Sequence, residues 1–130
     1  MAQVEYVVGL EQLRMTDLAR VGGKNASLGE MIGALAHAGV RVPGGIATTA
    51  QAFRDFVREN GLDQKIEDAL SALDVDDVQR LAQVGAQIRA WVIAAKLPQR
   101  LEDAIRVTYK KLVDESGAEI SVAVRSSATA

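Results

Sequence analysis

The stretch VGGKNASLGE, residues 21–30, contains residue types suited to binding a phosphate group. Gly22 and Gly23 directly precede a helical pattern, so the backbone can approach a ligand closely and the first amides of the helix favour an anion. Lys24 adds a mobile positive charge. The stretch is not a P-loop, because the first glycine of that motif is missing. A tight turn followed by a solvated lysine is the alternative, and local physics alone favours it.

A second candidate is Arg125-Ser126-Ser127, which follows an alternating apolar segment at residues 120–124. Such alternation is typical of a half-buried strand, and ligands of α/β sheets gather at the carboxyl ends of strands. Arginine binds phosphate oxygens in a bidentate manner and keeps its charge. The alternative is an arginine in a surface salt bridge, with both serines in a turn.

The third candidate is the pair Thr48 and Thr49, in the sequence PGGIATT at residues 43–49. Their hydroxyl groups could face a ligand. An N-cap role for at least one of them explains the pair more simply, because a helical pattern follows and threonine is a favoured cap.

The elements that position these residues are inferred from hydrophobic periodicity and from glycine and proline. We predict a strand from Val4 to Leu10, a helix after Gly23 with Gly39 as its C′ residue, and a short strand before Thr48. Four more helices follow, the third of these capped by Asp74 and the last beginning at Pro98. A closing strand is predicted over residues 119–124. This order predicts an α+β or α/β fold dominated by helix.

Composition limits the class of protein. The chain has 130 residues, a net charge of −2 and no cysteine. One domain of ordinary size is expected, with no disulfide and no thiolate metal site. The charge balance disfavours a nucleic-acid partner, and no segment has the apolar length of a membrane span. The first residues do not resemble a signal peptide, so we expect a cytoplasmic protein without a membrane partner.

Three segments together indicate a family. RVGGKNASLGEM (residues 20–31), VPGGIATTAQAF (42–53) and SVAVRSSATA (121–130) resemble the phosphoenolpyruvate synthases in order and spacing. This family is also called pyruvate, water dikinase and is related to pyruvate, phosphate dikinase. The resemblance implies an α+β, ATP-grasp-like N-terminal subdomain, rich in helix with a few short strands. Residues 1–130 would be the N-terminal part of the ATP-binding domain. The rest of that domain, the phosphohistidine domain and the pyruvate-binding barrel would lie outside the chain.

The resemblance also implies an activity and a set of residues. The complete enzyme would convert ATP, pyruvate and water to AMP, phosphoenolpyruvate and phosphate through a phosphohistidine. Lys24 and Arg125 match the basic residues of the family that contact the ATP phosphates. The residues that would support them, with less specific matches, are Gly22, Gly23, Thr48, Thr49, Ser126 and Ser127. No catalytic residue is assigned, because the phosphoacceptor histidine would lie in a later domain and His37 does not take that role.

The complete enzyme would use Mg²⁺ with ATP, and its metal-binding carboxylates would lie beyond Ala130. We therefore expect no metal site and neither Mg²⁺ nor ATP bound to this chain alone, with little or no ATP affinity and no turnover. A homo-oligomer is compatible with the sequence. Two alternatives remain open: the ATP-binding module of another dikinase-like phosphotransferase, and a non-catalytic helical binding module.

Overall fold

The chain forms six α-helices and a two-stranded sheet, as seen in a computed structural model that describes residues 5–129. In chain order the elements are β1 (Val7–Gly9), α1 (Leu18–Val21), α2 (Gly23–Ala36), β2 (Ile46–Thr48), α3 (Ala50–Glu59), α4 (Leu62–Ser71), α5 (Val78–Ala94) and α6 (Gln99–Ser116). Two single turns of 3₁₀-helix, Leu10–Gln12 and Met15–Asp17, follow β1. The predicted helix-rich α+β fold is confirmed.

The chain divides into two units. The first contains Met1–Phe53 and Gln99–Ala130, and the second contains Arg54–Pro98. The division falls within α3. All the candidate site residues belong to the first unit.

The sheet of the first unit is antiparallel, with Val7 opposite Thr48 and Gly9 opposite Ile46. The first strand, Val7–Gly9, is shorter than predicted, and it ends where the chain enters a 3₁₀ turn at Leu10. Val4, where that prediction began, lies outside the described residues. The prediction of a short second strand is confirmed, and it leads directly into α3.

An apolar cluster holds α2 against the strands and the 3₁₀ turns. Its buried members are Val8, Leu10, Leu13, Val21, Ala26 and Ala47. Leu13 is fully buried, and burying such a side chain contributes roughly 1.5–3 kcal/mol. The site-bearing start of α2 is therefore anchored by Val21 and Ala26 on either side of Lys24.

A second cluster in the same unit joins α6 to the sheet. It consists of Tyr6, Ala52 and Leu101, with Val7, Ala104 and Ile105 packed against it. The guanidinium of Arg100 lies 5.4 Å from the centre of the Tyr6 ring. These contacts fix the helix that precedes the C-terminal residues.

The end of α2 has the predicted cap. Gly39 has a φ of +75°, and its amide donates to Ala36 O at 3.3 Å. The next amide, of Val40, donates to Leu35 O at 3.0 Å. This pair of hydrogen bonds is a Schellman motif with Gly39 at C′, so that prediction is confirmed.

In the second unit, α4 and α5 pack together, with Leu62 and Val84 buried. The ammonium of Lys65 lies 4.2 Å from the centre of the Trp91 ring, within the range of a cation–π interaction. Asn60 joins two segments by donating to Phe56 O and to Lys96 O, at 2.8 and 2.9 Å.

Two predictions about individual elements are wrong: the N-cap of α5 and the closing strand. Asp77, not Asp74, caps α5, since its carboxylate accepts from the Arg80 amide at 3.0 Å. Asp74 instead forms a turn, with its carboxylate accepting from the amide of Asp76.

The predicted strand at residues 119–124 does not form. The only strands among residues 5–129 are β1 and β2, which pair with each other, so no strand lies beside this segment. Without a neighbouring strand, an extended segment has no ladder of hydrogen bonds. Val124 in this segment is 94% exposed.

None of the helices in the described part of the chain combines the length and the apolar character that a bilayer crossing requires.

Candidate phosphate-binding site

The two motifs with basic residues meet in the folded chain. The Gly23 amide donates to Ala128 O at 3.1 Å, and the Asn25 amide lies 3.5 Å from the hydroxyl oxygen of Ser127. The second contact is long for a hydrogen bond, and it joins residues 102 positions apart. The structure therefore brings the segment after Arg125 against the start of the helix that carries Lys24.

Gly22 is required by this approach. Its φ of +83° and ψ of 167° lie in a region that is essentially restricted to glycine. A Cβ on Gly22 would also lie 2.7 Å from Ala128 O and would overlap the hydroxyl of Ser127. Gly23 is helical, and the nearest atom to a Cβ there is a Leu18 methyl group at 3.6 Å. Only the first of the two glycines is thus enforced by the contact.

Hydrogen bonds on both sides of Gly22 fix the turn between α1 and α2. The Gly22 amide donates to Leu18 O at 2.9 Å, and Gly22 O accepts from the Ala26 amide at 3.1 Å. The side chain of Asn25 donates to Val21 O at 3.0 Å. Asn25 therefore stabilises the turn through its side chain, while its amide faces the C-terminal segment.

Lys24 and Arg125 are both exposed. Within residues 5–129 neither side chain has an ion-pair partner, so the surface salt bridge considered for Arg125 is not formed there. Lys24 lies between the two residues that contact the C-terminal segment, and Arg125 lies two residues before Ser127. The two cationic residues thus lie close in sequence to one contact between distant parts of the chain, and each side chain is exposed to solvent.

The remaining predicted site residues have different environments. Ser126 is exposed, whereas Ser127 is half-buried at the contact with α2. Thr48 is exposed at the end of β2, and Thr49 is buried. The Thr49 hydroxyl donates to Glu5 O at 2.9 Å and accepts from the Ala52 amide at 3.2 Å, so Thr49 is the predicted N-cap of α3. In the described part of the chain, no hydrogen bond joins either threonine to the Gly22 turn.

A polar cluster that the sequence reasoning missed supports α2. Asp17 accepts from the Arg14 amide at 2.9 Å, and Glu30 of α2 accepts from the Met15 amide at 3.1 Å. The Arg14 amide is the main cause that lowers the pKa of the Asp17 carboxyl; burial opposes it, and Arg20 adds a smaller lowering effect. The spacing of Arg14 and Asp17, three residues apart around a single turn, is the only sequence signal for this cluster.

The site residues do not fit a divalent cation. Mg²⁺ prefers oxygen ligands that include carboxylates, whereas the side chains at this contact are cationic, amide or hydroxyl groups. Among residues 5–129, no three carboxylate or histidine side chains come together as a metal site would require. No step through a metal ion is therefore assigned to these residues.

A comparison with family models gives the class of this domain as nucleotide-binding. Residues 18–130 match the family described as pyruvate phosphate dikinase, AMP/ATP-binding domain. The matched region includes both Lys24 and Arg125. The chain belongs to this family.

Several similar curated proteins are phosphoenolpyruvate synthases. The protein from Neisseria meningitidis serogroup B is 58% identical over 126 residues, and the one from Pseudomonas aeruginosa is 59% identical over 127 residues. The Escherichia coli protein is 53% identical over 125 residues. These alignments cover 96%, 98% and 95% of this chain, and the chain spans about 16% of the length of each relative. The resemblance inferred from the three sequence segments is confirmed.

Proposed function

We propose that this chain is part of the ATP-binding domain of a phosphoenolpyruvate synthase and that it binds the ATP phosphates through Lys24 and Arg125. The contact between Gly23 and Ala128 carries this proposal, because it brings the segments of both cations together. The complete enzyme converts ATP, pyruvate and water to AMP, phosphoenolpyruvate and phosphate. The phosphohistidine, the metal-binding carboxylates and the pyruvate site would belong to parts of the enzyme outside this chain.

The physical role of the two cations follows from the chemistry of phosphoryl transfer. Catalysis of this reaction depends on positioning the phosphates and on neutralising their charge. A lysine supplies a mobile point charge, and an arginine supplies a planar fork of donors that matches phosphate oxygens. Both side chains are exposed and lack ion-pair partners within residues 5–129, so binding a phosphate would displace no carboxylate of those residues.

The other site residues would have supporting roles. Gly22 would form the turn before the helix that carries Lys24, Gly23 would be the first residue of that helix, and Ser126 would present an exposed hydroxyl next to Arg125 in the chain. Thr48 would lie near the nucleotide, with its side chain exposed. Thr49 would support Thr48 indirectly as the cap of α3, since its own hydroxyl is already hydrogen-bonded.

The chain alone would bind ATP weakly and would not turn it over. Two cations neutralise only part of the charge of a nucleoside triphosphate, and the metal ligands would lie elsewhere. Isothermal calorimetry with Mg·ATP should therefore give no saturable heat at micromolar nucleotide. A micromolar dissociation constant would contradict this part of the proposal.

The decisive experiment uses the protein translated from the complete reading frame that contains this sequence. Lys24→Ala and Arg125→Ala should each reduce ATP-dependent formation of phosphoenolpyruvate from pyruvate by about 100-fold, the usual loss when one charge-stabilising group is removed. Lys110→Ala and Arg89→Ala, which also remove exposed cations, are the matched controls and should keep full activity. Circular dichroism should show that all four variants fold. Unchanged turnover in the first two variants would overturn the proposal.

A second candidate is a dikinase-like phosphotransferase with a different acceptor. The family match favours this second candidate, because the family is named after pyruvate phosphate dikinase. Water as the acceptor releases phosphate, whereas phosphate as the acceptor releases pyrophosphate. Measuring which product accompanies AMP separates the two enzymes. A reading frame that stops after Ala130 would favour a non-catalytic binding module instead.

A further inference from the structure

The first turn of α2 has an unusual cap. Gly22 occupies the N-cap position and has no side chain with which to bind the free amides of the helix. The partners come instead from the C-terminal segment: Ala128 O accepts from the Gly23 amide at 3.1 Å, and the Ser127 hydroxyl lies 3.5 Å from the Asn25 amide. A remote residue therefore takes the place that Ser, Thr, Asp or Asn normally takes at the start of a helix.

This arrangement changes how an anion can bind at the start of α2. The amides of Gly23 and Asn25 face the C-terminal segment, so they are not directed at a ligand. The side chain of Lys24, on the residue between them, is exposed. The cap thus fixes the backbone of Lys24 relative to the segment that carries Arg125, and it leaves the Lys24 ammonium free to move.

We propose that Ser127 is a positioning residue that caps the Lys24 helix and fixes the Lys24 and Arg125 segments to each other, rather than a ligand of the phosphates. Only the consequence for ATP rests on the proposed function; the capping contact is a property of the chain itself. A direct phosphate ligand would act only when the nucleotide is present. A capping residue acts in its absence too.

The first experiment measures amide hydrogen exchange by NMR in the chain without nucleotide. Ser127→Ala should speed exchange of the Asn25 amide by up to about fivefold, which is the effect of losing an ordinary helix cap and an upper bound for a contact of 3.5 Å. Ser127→Thr keeps a hydroxyl group and should restore slow exchange. Ser121→Ala makes the same change at an exposed serine in the same segment and is the matched control. Exchange at Asn25 that is unchanged in Ser127→Ala would overturn the proposal.

The second experiment measures kinetics in the protein from the complete reading frame. Ser127→Ala should raise KM for ATP by about fivefold and change kcat by less than twofold, and Ser127→Thr should restore KM. Normal exchange at Asn25 combined with impaired kinetics would identify a phosphate ligand and would overturn the proposal. Faster exchange at Asn25 in a protein that does not use ATP would support the capping role and would refute the proposed function instead. Circular dichroism of each variant establishes that the fold is intact.

Discussion

The amide of Gly23 donates a hydrogen bond of 3.1 Å to the carbonyl oxygen of Ala128, and this contact passes directly over Gly22. Two consecutive glycines precede Lys24, yet the structure gives them unequal importance. Gly22 has a positive φ and no room for a Cβ, whereas Gly23 is helical with space beside it.

Gly22→Ala should therefore lower the free energy of unfolding by about 2 kcal/mol, because backbone strain adds to the overlap with Ser127 and Ala128. Gly23→Ala is the matched control and should leave that free energy unchanged or raise it by up to about 1 kcal/mol. Urea denaturation followed by circular dichroism measures both. Equal stabilities of the two variants would show that the C-terminal segment does not pack against Gly22.

Thr48 and Thr49 should also differ in their effects on stability. Thr49→Ala removes the cap of α3 and the hydrogen bond to Glu5 O, so the free energy of unfolding should fall by about 1–2 kcal/mol. Thr49→Ser keeps the hydroxyl and should recover most of the loss. Thr48→Ala, at an exposed neighbour, should change stability by less than about 0.5 kcal/mol. Urea midpoints measure all three, and a larger loss in Thr48→Ala than in Thr49→Ala would contradict the assignment of the cap.

The Schellman motif at the end of α2 gives a third test. Gly39→Ala forces an alanine to a φ of +75° with no atom within 4 Å of its Cβ, so strain alone should cost about 1 kcal/mol. Gly44→Ala is the control, because its surroundings are equally open and its φ is not positive. Thermal denaturation should give a lower Tm for Gly39→Ala only. The same Tm in both variants would argue against a left-handed residue at C′.

Asp17 should contribute to the stability of the chain in a pH-dependent way. Its pKa in the folded chain lies below the ordinary value of 3.8, mainly because the Arg14 amide donates to the carboxylate. The contribution is therefore fully present above about pH 4 and is lost as the pH falls through the lowered pKa. Asp17→Asn should flatten the fall in urea midpoint as the pH is lowered below about 4.

Arg20→Gln removes the weaker of the two lowering influences on Asp17 and should raise the pKa of Asp17 only part of the way to its ordinary value. NMR titration of the carboxyl carbon measures this value. If the acid-induced loss of stability were the same with and without the Asp17 carboxylate, its pKa would not be lowered by folding.

Local sequence signals predicted most of the helices, because each depends on periodicity and on capping residues close in the chain. The C′ role of Gly39 is an example, since the cap involves only residues 35–40. The error at Asp74 is also local. Three acidic residues occur within four positions, and only the structure shows that the carboxylate of Asp77 accepts from the Arg80 amide. The predicted strand at residues 119–124 failed because strand formation depends on a partner, which a local pattern does not contain.

The candidate site shows the same limit over a longer range. The family resemblance singled out Lys24 and Arg125 from their motifs. Nothing in the spacing of the sequence showed that Ser127 and Ala128 would lie against the first turn of α2, because this contact joins residues 102 positions apart. The sequence also did not distinguish the roles of Gly22 and Gly23, since both fit a turn equally well until the path of the C-terminal segment is known.

The long separation of Asn25 and Ser127 has a consequence for the order of folding. Closing a large loop carries an entropic cost that local contacts do not have, so contacts between distant residues form late. During synthesis, α2 and its apolar cluster can assemble while the C-terminal segment is still on the ribosome. The region that joins Lys24 to Arg125 should then be among the last parts of the first unit to form and, on unfolding, among the first to be lost.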